Sequence, residues 1–151
     1  MATRFSETCE NARRNKSSLD VLADRLIRYC NLRCNEGKYE EVIKECDIAI
    51  SLAPNLAEAY CERGFAKQAL GQYDAAIADC DKAIELDPDF ATAYNNRGCA
   101  KQELKQHKAA IADCDKAIEL DPNLAEAYNN RGSAKIWLGQ HKAAIADFNK
   151  A

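Results

Sequence analysis

The sequence predicts an all-α solenoid made of repeats that are 34 residues long. Three sets of residues recur at this spacing: Pro54, Pro88 and Pro122; Gly64, Gly98 and Gly132; and Ala76, Ala110 and Ala144. Residues 57–90 match residues 91–124 at 24 of 34 positions, and residues 91–117 match residues 125–151 at 20 of 27. Repeats of this length form one supersecondary unit each and bury their apolar faces against their neighbours.

Each repeat has the pattern of two helices joined by a short turn. In residues 57–90, we expect a first helix over about 57–70 and a second over about 73–86. Gly71 offers the left-handed conformation that ends the first helix. Apolar residues spaced by three and four lie on one face of the second helix. Pro88 ends it, because the residue before a proline avoids the α conformation.

Polar residues at the repeat boundaries suggest helix N-caps. Asn55, Asp89 and Asn123 each follow a proline and precede an alanine-rich helix, where a short polar side chain can accept a backbone N–H. Glu58 and Glu126 follow three residues after their asparagines. The spacing therefore predicts capping boxes at two of the three boundaries.

Repeat three differs from its neighbours at the turn between its helices. Lys105 stands where the equivalent residues are glycines. If the turn keeps its shape, this lysine must adopt a positive φ, at a cost of about 1 kcal/mol.

These residues resemble the tetratricopeptide repeat, whose pattern has an aromatic residue, a small residue four positions later, then alanine, an aromatic and proline. The matching residues are Tyr60, Gly64, Ala76, Cys80 and Pro88; Tyr94, Gly98, Ala110, Cys114 and Pro122; and Tyr128, Gly132, Ala144 and Phe148. The resemblance covers about residues 23–151. It implies a right-handed α-solenoid over residues 19–151, with repeats at about 23–56, 57–90, 91–124 and 125–151, the first degenerate and the fourth incomplete. Residues 1–18 are expected to form a flexible arm or a short helix.

Charged residues replace the leucine and the tyrosine that are usual at two positions of the family pattern. Arginines stand at one position and lysines at another, and an aspartate follows each arginine after sixteen residues. The sets are Arg63, Lys67 and Asp79; Arg97, Lys101 and Asp113; and Arg131, Lys135 and Asp147. We expect an arginine–aspartate pair between the two helices of each repeat, partly buried; the alternative is two solvated charges.

Composition argues against several classes of function. The net charge of −3 and the absence of a basic stripe argue against nucleic-acid binding. No apolar run is long enough to cross a membrane, and the first residues lack the apolar core of a secretory signal. Three of the eight cysteines, Cys46, Cys80 and Cys114, share one repeat position and are interpreted as small core residues. A reducing, cytoplasmic location is therefore expected.

We find no pattern that indicates an enzyme or a cofactor. Cys30 and Cys34 have a spacing that can share a metal ion, but the other ligands that zinc needs are lacking nearby in sequence. His107 and His141 occupy equivalent turn positions of different repeats, where packing explains them better than catalysis. The sequence therefore predicts a non-enzymatic protein without metal or cofactor.

The resemblance further implies that the first helices line a concave groove that binds peptides. The residues at the corresponding positions are Arg28, Asn31, Glu58, Cys61, Glu62, Phe65, Thr92, Asn95, Asn96, Cys99, Glu126, Asn129, Asn130 and Ser133. Asn96 and Asn130 are expected to bond to a peptide backbone, because an amide both donates and accepts; the alternative is that they are merely solvated. Glu62 and Glu126 favour a peptide that carries lysine or arginine, and Phe65 offers an apolar contact.

Some members of the family clamp the terminal carboxylate of heat-shock chaperones with two lysines, an arginine and two asparagines. In one register those positions hold Cys61, Phe65, Asn96, Glu126 and Asn130, and in the other Ile27, Asn31, Glu62, Thr92 and Asn96. Neither register supplies a cation. A carboxylate clamp is therefore disfavoured.

The fourth repeat ends before the Ile-Glu-Leu-Asp-Pro segment that closes repeats two and three. We therefore expect an apolar edge to be exposed there. Ala144, Ile145 and Phe148 are assigned to this edge. Three explanations of this edge are open. The chain is a fragment of a longer array, it is a scaffold whose copies pair through this edge, or the last helical turn frays. Trp137 is either a groove anchor or a packing residue. The leading prediction is a protein-interaction module, and the alternative is the self-assembling scaffold.

Overall fold

The computed structural model describes residues 17–151, apart from the side chain of Asn31. It contains eight α-helices within that range: α1 Ser18–Asn35, α2 Tyr39–Leu52, α3 Ala57–Ala69, α4 Tyr73–Leu86, α5 Ala91–Glu103, α6 His107–Leu120, α7 Ala125–Trp137 and α8 His141–Phe148. The described part has no strand, which confirms the all-α prediction. All but the last two residues of the predicted arm, residues 1–18, lie outside the described residues.

The helices stack in sequence order as four antiparallel pairs. Every helix packs against the next one along the chain, and the odd-numbered helices also contact each other from one repeat to the next. Within residues 17–151, the even-numbered helices make no such contact with each other. The first helices are therefore closer together than the second helices, so the stack curves with α1, α3, α5 and α7 on its concave side.

Small side chains let the helices approach closely. Alanines and the predicted core cysteines fill the interior, and Cys46, Cys80 and Cys114 are all buried. Gly98 marks the closest approach inside repeat three: a Cβ there would lie 3.1 Å from the carbonyl oxygen of Ala110. The core thus depends on tight packing of short side chains.

Helix α1 begins earlier than the start of repeat one that we placed at about residue 23. Ser17 caps it, since its hydroxyl accepts from the N–H of Asp20, and the Asp20 carboxylate in turn accepts from the N–H of Ser17. This reciprocal capping box fixes the helix start at Ser18.

The capping boxes predicted at the other boundaries are wrong. Helices α3, α5 and α7 begin one residue later than a cap at Asn55, Asp89 or Asn123 would require. Leu56, Phe90 and Leu124 are the cap residues, and no side chain bonds there, so Glu58 and Glu126 complete no box. At two boundaries an aspartate before the proline folds the loop instead: the Asp87 carboxylate accepts from the N–H of Asp89, and that of Asp121 from the N–H of Asn123.

The positive φ expected at Lys105 is confirmed. Its φ is 61°, and the glycines at the equivalent turns, Gly37, Gly71 and Gly139, have φ between 72° and 74°. A turn that glycine adopts freely is therefore imposed on a residue with a Cβ.

Replacing Lys105 with glycine should stabilise the protein by about 1 kcal/mol, because the side chain no longer opposes the left-handed conformation. Urea unfolding measures the change. The matched control is Gly71→Lys in repeat two, where a Cβ would meet nothing within 4 Å. That variant should lose a similar amount, and an unchanged stability in both variants would show that the turn carries no strain.

A cluster of three charged residues ties the two helices of repeat three together, as we expected for its arginine and aspartate. Arg97 donates two hydrogen bonds to Asp113, of 2.6 and 3.0 Å, and its ring neighbour Tyr94 lies under the guanidinium. Lys101 adds an ion pair of 2.8 Å to the same carboxylate. Asp113 is only 5% exposed, so its charge is compensated in the interior.

The same arginine also reaches the preceding repeat, which the sequence pattern had not indicated. Arg97 Nη1 lies 2.6 Å from the carboxylate of Asp81 on α4. Equivalent clusters join Arg63 to Asp79, Lys67 and Asp47, and Arg131 to Asp147, Lys135 and Asp115. Each arginine therefore bridges three helices, and we call the series the charge ladder.

Repeat one has a substitute for this cluster. Tyr29 stands at the arginine position and Glu45 at the aspartate position. Arg33, at the lysine position, pairs with Glu41 and Glu45 and covers the Tyr29 ring. The degenerate repeat thus keeps a cation between its two helices, but it lacks the arginine that in the other repeats also contacts the preceding repeat.

Asp147 shows how the charge ladder affects titration. Burial alone would raise the pKa of its carboxyl, but hydrogen bonds from Arg131 and Lys135 outweigh burial and lower it. The resulting stabilisation is complete above the pKa of an unfolded aspartate, about 3.9, and is lost as the pH falls through the lower native value.

Each arginine of the charge ladder has a buried arm, to the aspartate of its own repeat, and an exposed arm, to the preceding repeat. Breaking the buried arm should cost much more stability than breaking the exposed arm. Arg97→Leu leaves Asp113 with only one partner and should destabilise the protein by about 3 kcal/mol in urea unfolding. The matched control is Asp81→Asn, since that side chain is 53% exposed. Its loss should stay below about 1 kcal/mol. Equal losses would contradict the division into two arms.

Candidate functional site

A groove of about 740 Å³ runs along the concave side of the stack. Its walls come from helices α1, α3, α5 and α7, together with the residue that precedes α7. The lining residues are Cys34, Asn35, Glu62, Phe65, Gln68, Thr92, Asn95, Asn96, Cys99, Leu124, Glu126, Asn129 and Asn130. All four repeats therefore contribute to one continuous surface.

Most of the residues that we assigned to the groove lie in it, but some do not. Arg28 lines a separate depression with Asp24, Ile27, Leu56 and Glu58. Cys61 is buried beneath the surface, and Ser133 is not part of the lining. The side chain of Asn31 lies outside the described residues.

Four lining residues were missed, and two of them follow a simple extension of the pattern; Asn35 and Leu124 are the other two. Cys34 and Gln68 lie three residues beyond the last groove position of their repeats, which is one further helical turn. Gln68 also donates a 3.0 Å hydrogen bond to the Cys99 sulfur of the next repeat. Counting one more turn along each first helix would have found both.

The asparagines in the groove join neighbouring repeats. The Asn130 side-chain amide donates to the side-chain oxygen Oδ1 of Asn95 at 2.9 Å, and the Asn96 amide donates to the Cys61 sulfur at 3.4 Å. Each of these two amides uses one N–H in this way, and its other N–H and its oxygen remain available for hydrogen bonds. The asparagines are therefore held in fixed orientations while retaining groups for a ligand.

The charge of the groove is negative. Its lining contains the carboxylates of Glu62 and Glu126 and no lysine or arginine. Burial raises the pKa of the Glu62 carboxyl. A cation placed beside this half-buried carboxylate would favour its charged form, whereas an anion would be repelled.

The described cysteines are free thiols, and burial raises the pKa of several of them. It raises the pKa of Cys80 and of Cys114 to about 12 and that of Cys34 to about 11. Thiols of this kind are poor nucleophiles at neutral pH. Over residues 17–151 no three metal-binding side chains converge on a common point, and no helix has the length and apolar character of a membrane span.

The assigned C-terminal edge is smaller than expected. Ala144 is fully buried inside repeat four and is unavailable to a partner. Ile145 is 59% exposed and Phe148 is partly exposed. The Phe148 ring packs against Gly132, where repeats two and three have a cysteine against the glycine. The exposed edge therefore consists of Ile145 and the outer side of Phe148.

Trp137 stacks on a histidine of the preceding repeat, outside the lining of the groove. Its ring is parallel to that of His107, with centroids 5.6 Å apart, yet its side chain is 71% exposed. The Nδ1 atom of His107 is buried and has no hydrogen-bond partner within the described range. Packing accounts for one face of the tryptophan and leaves the rest in solvent.

Comparison with known proteins identifies the type of repeat. The family model described as "Tetratricopeptide repeat" matches residues 57–90, 91–124 and 125–151. A comparison with curated protein sequences gave no significant match.

Solved structures with the same architecture include the TPR domain of OM64 from Arabidopsis, which is 25% identical with a TM-score of 0.74. That alignment covers 80% of this chain and 99% of the domain. The first TPR domain of Spaghetti (RPAP3), solved with the HSP90 peptide SRMEEVD, is 28% identical with a TM-score of 0.74, covering 80% and 95%. MamA from Desulfovibrio magneticus RS-1 is 25% identical with a TM-score of 0.72, covering 85% and 72%.

These structures share the paired helices and the continuous stack described above. The matched repeats cover more than half of the sequence, and the similarity supports a protein-interaction module. The chain belongs to the tetratricopeptide repeat family.

Proposed function

We propose that this protein is a non-enzymatic adaptor that binds an extended, basic segment of a partner protein in its concave groove. The observation that carries the proposal is the row of oriented amides between Glu62 and Glu126, on a surface without a cation. The free thiols of the described cysteines suit a reducing, cytoplasmic setting.

The amides of Asn96 and Asn130 supply recognition of the peptide backbone. Their hydrogen bonds to the preceding repeat hold them in place before a ligand arrives, so less conformational entropy is lost on binding. Each remaining amide group can bond to a backbone N–H or C=O without regard to the side chain. Such contacts hold a chain of any sequence in an extended form.

Charge and shape supply the preference for a basic segment. Glu62 and Glu126 attract lysine or arginine side chains. Phe65, whose edge packs against Tyr39, offers an apolar contact between them. The two carboxylates would repel the acidic HSP90 peptide bound to the RPAP3 domain. The groove lining contains no lysine or arginine that could pair with the acidic residues of such a peptide.

The first test compares peptides of opposite charge by fluorescence anisotropy. A labelled peptide of alternating lysine and serine should bind, and both its glutamate–serine counterpart and SRMEEVD should bind at least about tenfold more weakly, equivalent to about 1.4 kcal/mol. Affinity for the lysine peptide should fall as the pH is lowered through the raised pKa of Glu62. Equal binding of the acidic peptides would refute the proposal.

Removing both amides should weaken binding of the lysine–serine peptide about 30-fold, because each net hydrogen bond contributes about 1 kcal/mol. The variant is Asn96→Ala with Asn130→Ala, and circular dichroism checks its fold. Asn123→Ala, an exposed asparagine in a loop outside the groove, is the matched control and should bind normally.

A second candidate function is a scaffold whose copies associate through Ile145 and Phe148. Their partial exposure favours it. Regular head-to-tail stacking would not extend the charge ladder, because Asn149 replaces the aspartate that receives the next arginine and Tyr29 replaces the arginine at the other end. Pairing of two copies about a twofold axis, edge to edge, is the form that remains.

Light scattering over a concentration series tests this candidate. If the edge pairs, the mass should rise with concentration, and Ile145→Lys should abolish the rise. Ile48→Lys changes another isoleucine that is about half exposed, far from this edge, and should leave the association intact. A mass that stays monomeric throughout would exclude the scaffold and leave the adaptor.

A further inference from the structure

A second cavity lies one helical turn beyond the groove. Its volume is about 310 Å³, and its walls are Gln102, Glu103, Lys105, His107 and Trp137. Gln102 and Glu103 follow Cys99 of the groove lining by three and four residues on α5, so the two sites are adjacent along that helix.

Most of the residues that form this cavity differ from their equivalents in the preceding repeat. Of its five lining residues, only Gln102 is unchanged from the preceding repeat. The equivalents of the other four, Glu103, Lys105, His107 and Trp137, are Ala69, Gly71, Tyr73 and Glu103. Repeat three is nevertheless identical to repeat two at 24 of 34 positions, and repeat four is identical to repeat three at 20 of 27. Departures from a strong repeat therefore meet at one place on the surface.

The chemistry of the walls suits a planar cation. His107 supports one face of the Trp137 ring at 5.6 Å, and the ring keeps most of its area in solvent. Tryptophan is the aromatic side chain that attracts cations most strongly. Glu103 adds an exposed carboxylate, and Gln102 adds an amide oxygen that can accept a hydrogen bond.

We propose that this cavity is a binding site for an arginine side chain of a protein partner. The guanidinium stacks on Trp137, while its N–H groups donate to Glu103 and Gln102. This site extends the proposed function, because a basic segment that leaves the groove along α5 reaches it next.

Arginine fits the site better than the other candidate side chains. Lysine carries the charge but has no planar group to stack, and an uncharged aromatic side chain leaves the Glu103 carboxylate without a partner. Lys105 opposes any cation, but its side chain is exposed and long enough to turn into solvent. The lysine therefore weakens the site without blocking it.

Trp137 is the only tryptophan of the chain, so its fluorescence reports directly on this cavity. The probes are the capped tripeptides Gly-Arg-Gly, Gly-Lys-Gly and Gly-Phe-Gly. Gly-Arg-Gly should change the emission saturably and bind at least about fivefold more tightly than Gly-Lys-Gly. No saturable change, equal binding of the lysine peptide, or tighter binding of the phenylalanine peptide would overturn the proposal.

Variants locate the response within the cavity. Glu103→Gln should weaken Gly-Arg-Gly binding about fivefold through loss of the charged acceptor, and Lys105→Gly should tighten it about twofold to fivefold. Trp137→Leu should abolish the heat of binding in calorimetry, with circular dichroism confirming the fold. An affinity that does not respond to Glu103→Gln would also overturn the assignment.

The same measurements separate this site from the groove. The variant with Asn96→Ala and Asn130→Ala should keep the Gly-Arg-Gly response, and Glu103→Gln should keep the lysine–serine peptide in the groove. If only the tripeptide response fails, the arginine site is wrong and the adaptor function stands. If only the groove peptide fails, the arginine site stands and the adaptor function is wrong.

Discussion

The contact on which this stack depends is the guanidinium that joins three helices at once. In repeat three, Arg97 is bound to Asp113 of its own repeat and to Asp81 of the preceding one. The buried carboxylate cannot be left without cations, so it fixes the pairing of the two helices within a repeat, and the exposed pair with Asp81 adds a weaker contact that orients the repeat against its neighbour. The interaction therefore helps to set the register of the helices, whatever its net contribution to the stability of the protein.

Register in turn determines what the concave surface offers. Because each repeat is set against the last in the same way, the Asn130 amide of one first helix reaches the Asn95 oxygen of another. The same relation brings Asn96 to the Cys61 sulfur. A uniform stack thus becomes a row of oriented amides, and in the proposed function the residues that differ between repeats, such as Glu62 and Phe65, supply the specificity.

Sequence reasoning predicted features well when they depend on neighbours along the chain. It failed when the result depends on where a helix starts to within one residue, or on whether a groove extends by one more helical turn. The strained φ of Lys105 could be predicted, since its glycine equivalents define the turn. The caps at Asn55 and Asp89 could not, because the helices start one residue later. Arg28 lies in another depression, which it shares with Leu56 and Glu58 at the start of the next repeat.

The sequence by itself determined the repeat, its two helices, the residues of the core and the pairing of arginine with aspartate inside each unit. These follow from a period of 34 residues and from local spacing on a helix. Only the tertiary structure decided which carboxylate of the preceding repeat receives Arg97, that Ala144 is buried, and that Trp137 meets His107. Such contacts depend on the distance and angle between stacked units, and no spacing along a single chain specifies these.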